Sequence, residues 1–477
     1  MLSAGYASFS LSGLPLLGCR FQNGPFGRIF AMASHKKHEW TRFLPALSVF
    51  AFCLMMIAAS RGMGETYAIF LLPLSDSFGW NRASVTSIYS IYMVAFGFGS
   101  LLSGLVFDRL GPRFNYIIGL GMLAGCYGFA GKLESILSFY LVIGICGGVG
   151  AAMVGIVPTQ SLISRWFVRG RTTALSIAYS GQGIGVMMLA PAAQITIEAI
   201  GWQDAYMLAS YGFIGAFILI LLLPWARIGA GANGAKPASP AASAPKETAA
   251  NQHNTKLHDT KLHDKHANHT KDGLSLGEAI KRPEFWGFFT IFGASAVAVF
   301  SVSLQAVAYL IERGFSTVQA AFAFGCIGML TILGIALTGI LAERFSRHLI
   351  ATFSYGLTII GILALAAMQL YPSWWLLALF VVPFGLSAGA RGPIITAQMA
   401  ELFAGHGLAS IFGATNIGQG CGAALGAFLA GYLYDLTGGY NTGFAISLGF
   451  ACLGLSMFWF VPTIRHGKQT SVTTSKN

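Results

Sequence analysis

Residues 104–113 read Gly104-Leu-Val-Phe-Asp108-Arg109-Leu-Gly111-Pro112-Arg113, and residues 339–347 answer with Gly339-Ile-Leu-Ala-Glu343-Arg344-Phe-Ser-Arg347. Each stretch is a short charged turn between long apolar runs. The leading glycine lets two helices approach, and the acid and bases after it can tie helix ends together by charge-assisted bonds. A tie of that kind can break and reform if two halves of a molecule rock. Asp108, Arg109, Arg113, Glu343 and Arg344 are therefore candidate gating residues.

Around the two turns, apolar segments long enough for a ~30 Å hydrocarbon core recur. They lie near 43–73, 84–107, 115–132, 136–160, 171–197 and 202–225, then near 285–311, 318–341, 349–371, 374–402, 408–434 and 439–463. We number them spans 1 to 12. The 477 residues are 55% hydrophobic and 10% charged, against about 45–50% and about 25% in soluble domains. A water-soluble fold is excluded, and 13% aromatic content with a mean hydropathy of +0.65 excludes disorder. The expected architecture is an all-α integral membrane protein of twelve transmembrane helices in two six-helix halves, 43–226 and 283–464.

Residues 1–42 form an N-terminal extension expected to lack structure, and Met32 reads like a natural start within it. Residues 227–282 read as a flexible cytoplasmic linker carrying His253, His258, His263, His266 and His269. A metal-sensing loop is the alternative, weakened by irregular spacing and the lack of Cys. Ser275 to Pro283 suggests a short amphipathic helix entering span 7, and residues 465–477 a cytoplasmic tail. The seven cysteines include no CxxC pair, so neither a metal site nor a disulfide framework is expected.

With the N-terminus inside, only Arg82, Lys132 and Arg313 of the 29 Lys and Arg fall outside, while Arg61 and Arg391 fall within the membrane. Both termini and the linker are thereby expected in the cytoplasm. The net charge of +12 then reflects topology, not a nucleic-acid partner. The halves also repeat: Gly181-Gln-Gly-Ile-Gly185 and Gly418-Gln-Gly-Cys-Gly422 lie 237 positions apart, as do Gly201 and Gly438. A same-sense repeat of six spans is related by an axis along the membrane normal.

The 104–113 turn resembles the loop signature G-x-x-x-D-R-x-G-R-R of the major facilitator superfamily, with Pro112 in place of the first of the last two bases. From about residue 43 onward, the chain also resembles bacterial relatives of monocarboxylate transporters and oxalate–formate antiporters. The resemblance rests on Tyr67-Ala-Ile-Phe-Leu-Leu-Pro through Trp80-Asn-Arg82, Arg165-Trp-Phe, Ala279 through Trp286, Tyr309-Leu-Ile-Glu-Arg-Gly314 and Tyr432 through Tyr440. There are departures. Where many relatives carry an Arg in span 8 this chain has Ile335, where some carry a His in span 7 it has Gln305, and the usual span-1 cation position holds Gly64.

Chemistry has to come from charges inside the bilayer, where a central Arg costs about 2.5–3.5 kcal/mol even on the lenient insertion scale. Arg61 lies roughly 18 Å of helix before Pro73, and Arg391 roughly 15 Å before Glu401. Neither can snorkel out. The resemblance implies that spans 1, 4, 7 and 10 line a central cavity, which would bring the two arginines to one place. Two guanidiniums with few carboxylates describe an anion site. Glu65 follows Arg61 at i+4, on one helix face. Three readings of this pair stand: permanent scaffolding, a gating contact, or a proton site freed when an anion takes Arg61. Arg391 is a packing residue tied to backbone carbonyls or a substrate contact, sharing its face with Ser387, Ile394 and Gln398. Gln305 and Asn416 are weaker candidates for substrate contact.

The resulting expectation is a secondary transporter for a small organic anion, a mono- or dicarboxylate, rocking two halves about a midplane site. Proton-coupled uptake with Glu65 as carrier leads, and an anion exchanger or exporter without coupling is the alternative. No phosphate-binding loop, HExxH motif or cofactor signature is present, so neither an enzyme nor a cofactor is expected. A transporter-like sensor would need a signalling domain that the linker lacks, and drug efflux would need an acidic cation pocket. The expected partners are the anion, H⁺ and the lipid of the inner (plasma) membrane, around a monomer.

Overall fold

In lipid no water satisfies bare backbone groups, so each apolar run folds as a helix that closes its own hydrogen bonds. The computed structural model describes residues 37–166, 177–225, 228, 276–341, 345–403 and 408–460, and no β-strand occurs among them. Span 1 comprises Lys37–Glu65 and Tyr67–Phe78, broken at Thr66. Spans 2 and 3 are the two parts of Arg82–Ala130, divided at Gly111 (φ 86°). Span 4 runs through Ile136–Phe139, a π-helical Tyr140–Gly147, Gly148–Val154 and Ile156–Trp166. Spans 5 and 6 share Gly181–Leu222, divided at Gly201 (φ 88°).

In the second half a short helix Leu276–Ile280 precedes span 7, Pro283–Glu312. Spans 8 and 9 are Thr317–Leu341 and Arg347–Ala367, the latter closing ahead of Pro372. Span 10 is broken into Trp374–Ala388 and Arg391–Leu402, and spans 11 and 12 are Leu408–Thr437 and Asn441–Phe460. Nine helices among the described residues are long and apolar enough to cross a membrane. Spans 3, 10 and 11 complete the expected twelve. The π-helical turn in span 4 was not legible in the apolar spacing. The start expected for span 5, the histidines of the linker, the N-terminal extension to residue 36 and the C-terminal tail lie outside the described residues.

The sequence repeat is a repeat of contacts. A Cβ on Gly185 would collide with the Ala58 carbonyl on span 1, and one on Gly422 with the Gly293 carbonyl on span 7. Ala58 and Gly293 stand 235 positions apart. The middle glycines point the other way, across the halves: Gly183 abuts Gly328 on span 8, and Gly420 lies against Met93 and Gly97 on span 2. Met93 and Gly328 are again 235 positions apart. Each motif therefore seats a helix on its own half with its last glycine and touches the opposite half with its middle one. Only residues without a side chain permit backbones so close.

Candidate functional site

The first helix of span 1 stops at Glu65, where the Thr66 hydroxyl turns back to the Met63 carbonyl at 2.7 Å. One turn earlier, Arg61 Nη2 donates to Glu65 Oε1 at 2.9 Å. The Tyr89 hydroxyl on span 2 donates to Glu65 Oε2 at 3.3 Å, and the guanidinium lies 4.8 Å from the centre of the Phe96 ring. Arg61 is 7% exposed and its Nε meets no partner. A buried pair of this kind is tolerated because each charge neutralises the other, and removing one partner strands the second.

Glu65 and Tyr89 form one wall of a crevice between the halves. Phe300 and Ser303 of span 7 and Phe324 of span 8 form the other. The crevice leaves no room for a water molecule. The position of the usual span-1 cation is filled from the side, since the Tyr92 hydroxyl rests against Gly64. An aromatic cavity lined by Tyr67, Tyr92, Tyr127 and Tyr206 shares Tyr89 with the crevice, and the Tyr92 and Tyr206 hydroxyls are buried without partners.

Arg391 opens the second helix of span 10, directly after the break at Gly389. Its Nε donates to Ser354 Oγ at 3.3 Å, its Nη2 donates to Thr358 Oγ1, and its guanidinium lies 4.3 Å from the Tyr355 ring centre. Thr358 donates onward to Ser387 Oγ at 2.8 Å. Nη1 is buried without a partner. Among the described residues, span 9 hydroxyls hold this cation. Arg61 and Arg391 share no hydrogen-bond or ring partner among the described residues: the first is held by Glu65 and the Phe96 ring, the second by Ser354, Thr358 and the Tyr355 ring. Replacing Thr358 with Val should leave a guanidinium N–H unsatisfied and cost about 1–3 kcal/mol, read as a lower thermal midpoint of the purified protein.

Gln305 is buried on span 7 with both amide atoms lacking partners, and Asn416 is half-buried on span 11. Arg109 and Arg113 are exposed at the junction of spans 2 and 3. The side chain of Asp108, and Glu343 and Arg344 altogether, lie outside what is described, so the expected tie at that end is not on view. Residue patterns did not single out Tyr89, Ser303 or the span 9 hydroxyls. Ser354 and Thr358 carried a readable signal, two hydroxyls four apart on one helix face. Tyr89 carried none.

The sequence profile of the Major Facilitator Superfamily matches residues 50–417 and 330–476. Monocarboxylate transporter 12 of Mus musculus is 25% identical over 443 residues, covering 89% of this chain and 87% of the relative. An uncharacterized MFS-type transporter of Bacillus subtilis, YcxA, is 22% identical, covering 86% of this chain and 92% of its own. Among solved structures, the nucleoside transporter NupG superposes with a TM-score of 0.66 at 15% identity, over 87% of this chain and 99% of that one. With two packed six-helix halves, a repeat written into both sequence and contacts, and a family profile matched over most of its length, the chain belongs to the Major Facilitator Superfamily of membrane transporters.

Proposed function

We propose that the protein is a secondary transporter that takes up a small organic anion, a mono- or dicarboxylate, together with a proton. The observation that carries this reading is the buried Arg61–Glu65 pair facing the crevice between the halves. The fold is symmetric but these charges are not: at the 235-residue spacing, Arg61 corresponds to Ala296 and Glu65 to Phe300. A duplicated scaffold that needed the pair for packing alone would carry it twice. The relatives named as monocarboxylate transporters support the anion class.

Charge balance supplies the coupling. Arg61 and Glu65 are together neutral. A carboxylate arriving on Arg61 leaves the dry crevice one charge negative, a costly state. A proton on Glu65 restores neutrality, and the loaded crevice can close and reopen on the other side. Arg391 would meet the substrate through its open Nη1, with Gln305 and Asn416 as neutral contacts. The crevice has no room for a water molecule as it stands, so binding requires the halves to part. Following the distribution of Lys and Arg, we place both termini in the cytoplasm, and we take the protein to be a monomer of the inner (plasma) membrane.

The test is uptake of labelled mono-, di- and hydroxycarboxylates into proteoliposomes, with and without an inward proton gradient. Gradient-stimulated uptake of one acid is expected, and Arg391→Gln should lower it by roughly 10–100-fold, the worth of a bond to a charged group. Uptake confined to preloaded vesicles and insensitive to pH would replace symport by exchange. A folded protein that moves none of these acids would sink the anion reading.

A further inference from the structure

The face at which spans 2 and 8 begin is closed by two carboxylates at equivalent places in the repeat. Glu198 and Asp435 stand 237 positions apart, the spacing of the Gly-Gln-Gly motifs, and each lies three residues before a left-handed glycine, Gly201 or Gly438. Each reaches across to the opposite half. Asp435, near the end of span 11, accepts the backbone N–H of Arg82 at 3.0 Å and that of Ala83 at 2.7 Å, the first two of span 2. Glu198, near the end of span 5, accepts the hydroxyl of Thr317, the first residue of span 8. Arg82 and Thr317 are 235 positions apart, as are the left-handed Gly79 and Gly314 that precede them. The two contacts occupy equivalent places in both registers of the repeat but differ in kind: Asp435 takes two backbone N–H groups, whereas the exposed Glu198 takes one hydroxyl, on an oxygen that Gln194 Nε2 also reaches at 3.0 Å.

The chemistry suits a latch. The first turn of a helix has free N–H groups and a positive dipole end, both of which favour a carboxylate. At span 2 the accounting is complete: Asn81 accepts from Ser84 and Val85, and Asp435 takes Arg82 and Ala83. Parting the halves here hands two donors back to water. One side is reinforced. Arg82 Nη2 donates to Glu312 Oε1 of span 7 at 2.7 Å, and its guanidinium lies 5.0 Å from the Tyr434 ring centre. The Tyr440 hydroxyl also donates to Glu312, at 2.8 Å, and burial raises its pKa, keeping it a donor. Three of the stretches that carry the family resemblance, those ending at Arg82, Gly314 and Tyr440, thus meet at one seam. The candidate gating residues Asp108, Arg109, Arg113, Glu343 and Arg344 lie at the opposite ends of spans 2 and 8.

We propose that Asp435 and Glu198 are twin latches, one per half, that hold this face shut, with Arg82–Glu312 as a bolt on the Asp435 side. Opening toward this face requires both to release. This step concerns the seam and is independent of which substrate the crevice takes.

A Ser90→Cys reporter on the full chain in nanodiscs tests it. Ser90 lies on the same seam about 12 Å along span 2 from Arg82, where its hydroxyl donates to the Ala424 carbonyl across the halves at 2.8 Å. The readout is its rate of modification by a membrane-impermeant maleimide, against the same protein with Ser90 intact. Asp435→Asn with Glu198→Gln should raise the rate about tenfold or more, the scale of one to two charge-assisted bonds, and either change alone by less. A folded, monodisperse double variant labelled at the parent rate would overturn the proposal. Ala83→Cys with Asp435→Cys provides the converse in case the double variant does not fold. Oxidation should suppress reporter labelling and reductant restore it, whereas labelling that ignores a formed crosslink would also overturn the latch.

Discussion

Arg61→Gln is expected to abolish carboxylate uptake and also to weaken the fold. The substitution strands Glu65, which the pair now neutralises at 2.9 Å. Breaking a buried pair from one side costs about 3–5 kcal/mol. That alone would lower the yield of folded protein, and lost activity would then say little about mechanism. The double variant Arg61→Gln/Glu65→Gln removes the difficulty, because two neutral side chains of similar shape leave no lone charge. Its folded yield and thermal midpoint should return close to the parent values while uptake stays at least a hundredfold down, roughly the 3 kcal/mol end of a lost bond to a charge. If the double variant transports a carboxylate under a proton gradient as the parent does, the pair is scaffolding and the proposed coupling is wrong.

The second large effect is expected at the glycines. Gly185→Val should destabilise the first half by about 1–3 kcal/mol or more, because its Cβ meets the Ala58 carbonyl and lies 2.9 Å from Gly62 Cα. Backbone cannot move aside as a side-chain tip can. Gly183→Val differs in kind, since it strikes Gly328 and Ile332 of the opposite half. It should leave each half folded and pry the seam between spans 5 and 8, so that uptake falls more than stability does. Gly356→Val is the control, with nothing within 4 Å of its Cβ. Thermal unfolding and uptake, compared across the three variants, would check the ordering. Equal stability of Gly185→Val and Gly356→Val would contradict the close approach on which the packing account rests.

Legibility in the sequence followed the range of the physics. The i+4 relation of Arg61 and Glu65 is a property of one helix, and the pair stands where the spacing put it. The meeting of Arg61 with Arg391 is an inference about how two halves close, and the partners that hold each arginine, Glu65 for one and the span 9 hydroxyls for the other, come from its own half. Span 10 shows the intermediate case. Its apolar length was evident, but the break at Gly389 that starts a new helix at Arg391 was not, because Gly is tolerated inside many membrane helices.

Helix length and apolar periodicity are carried by residues near one another in the chain, and the 237-residue repeat by short motifs each legible alone, so the helical class, the six-plus-six plan and the family could be read before any packing was known. The three charged or acidic candidates in the membrane, Arg61, Glu65 and Arg391, were determined the same way, since lipid makes every such residue conspicuous. What those charges face, and where the halves are tied, emerged from packing alone. The Arg82 to Asp435 bond spans 353 positions. No local rule pairs a helix start with a carboxylate so distant, because the match exists only once two independently closed bundles have packed.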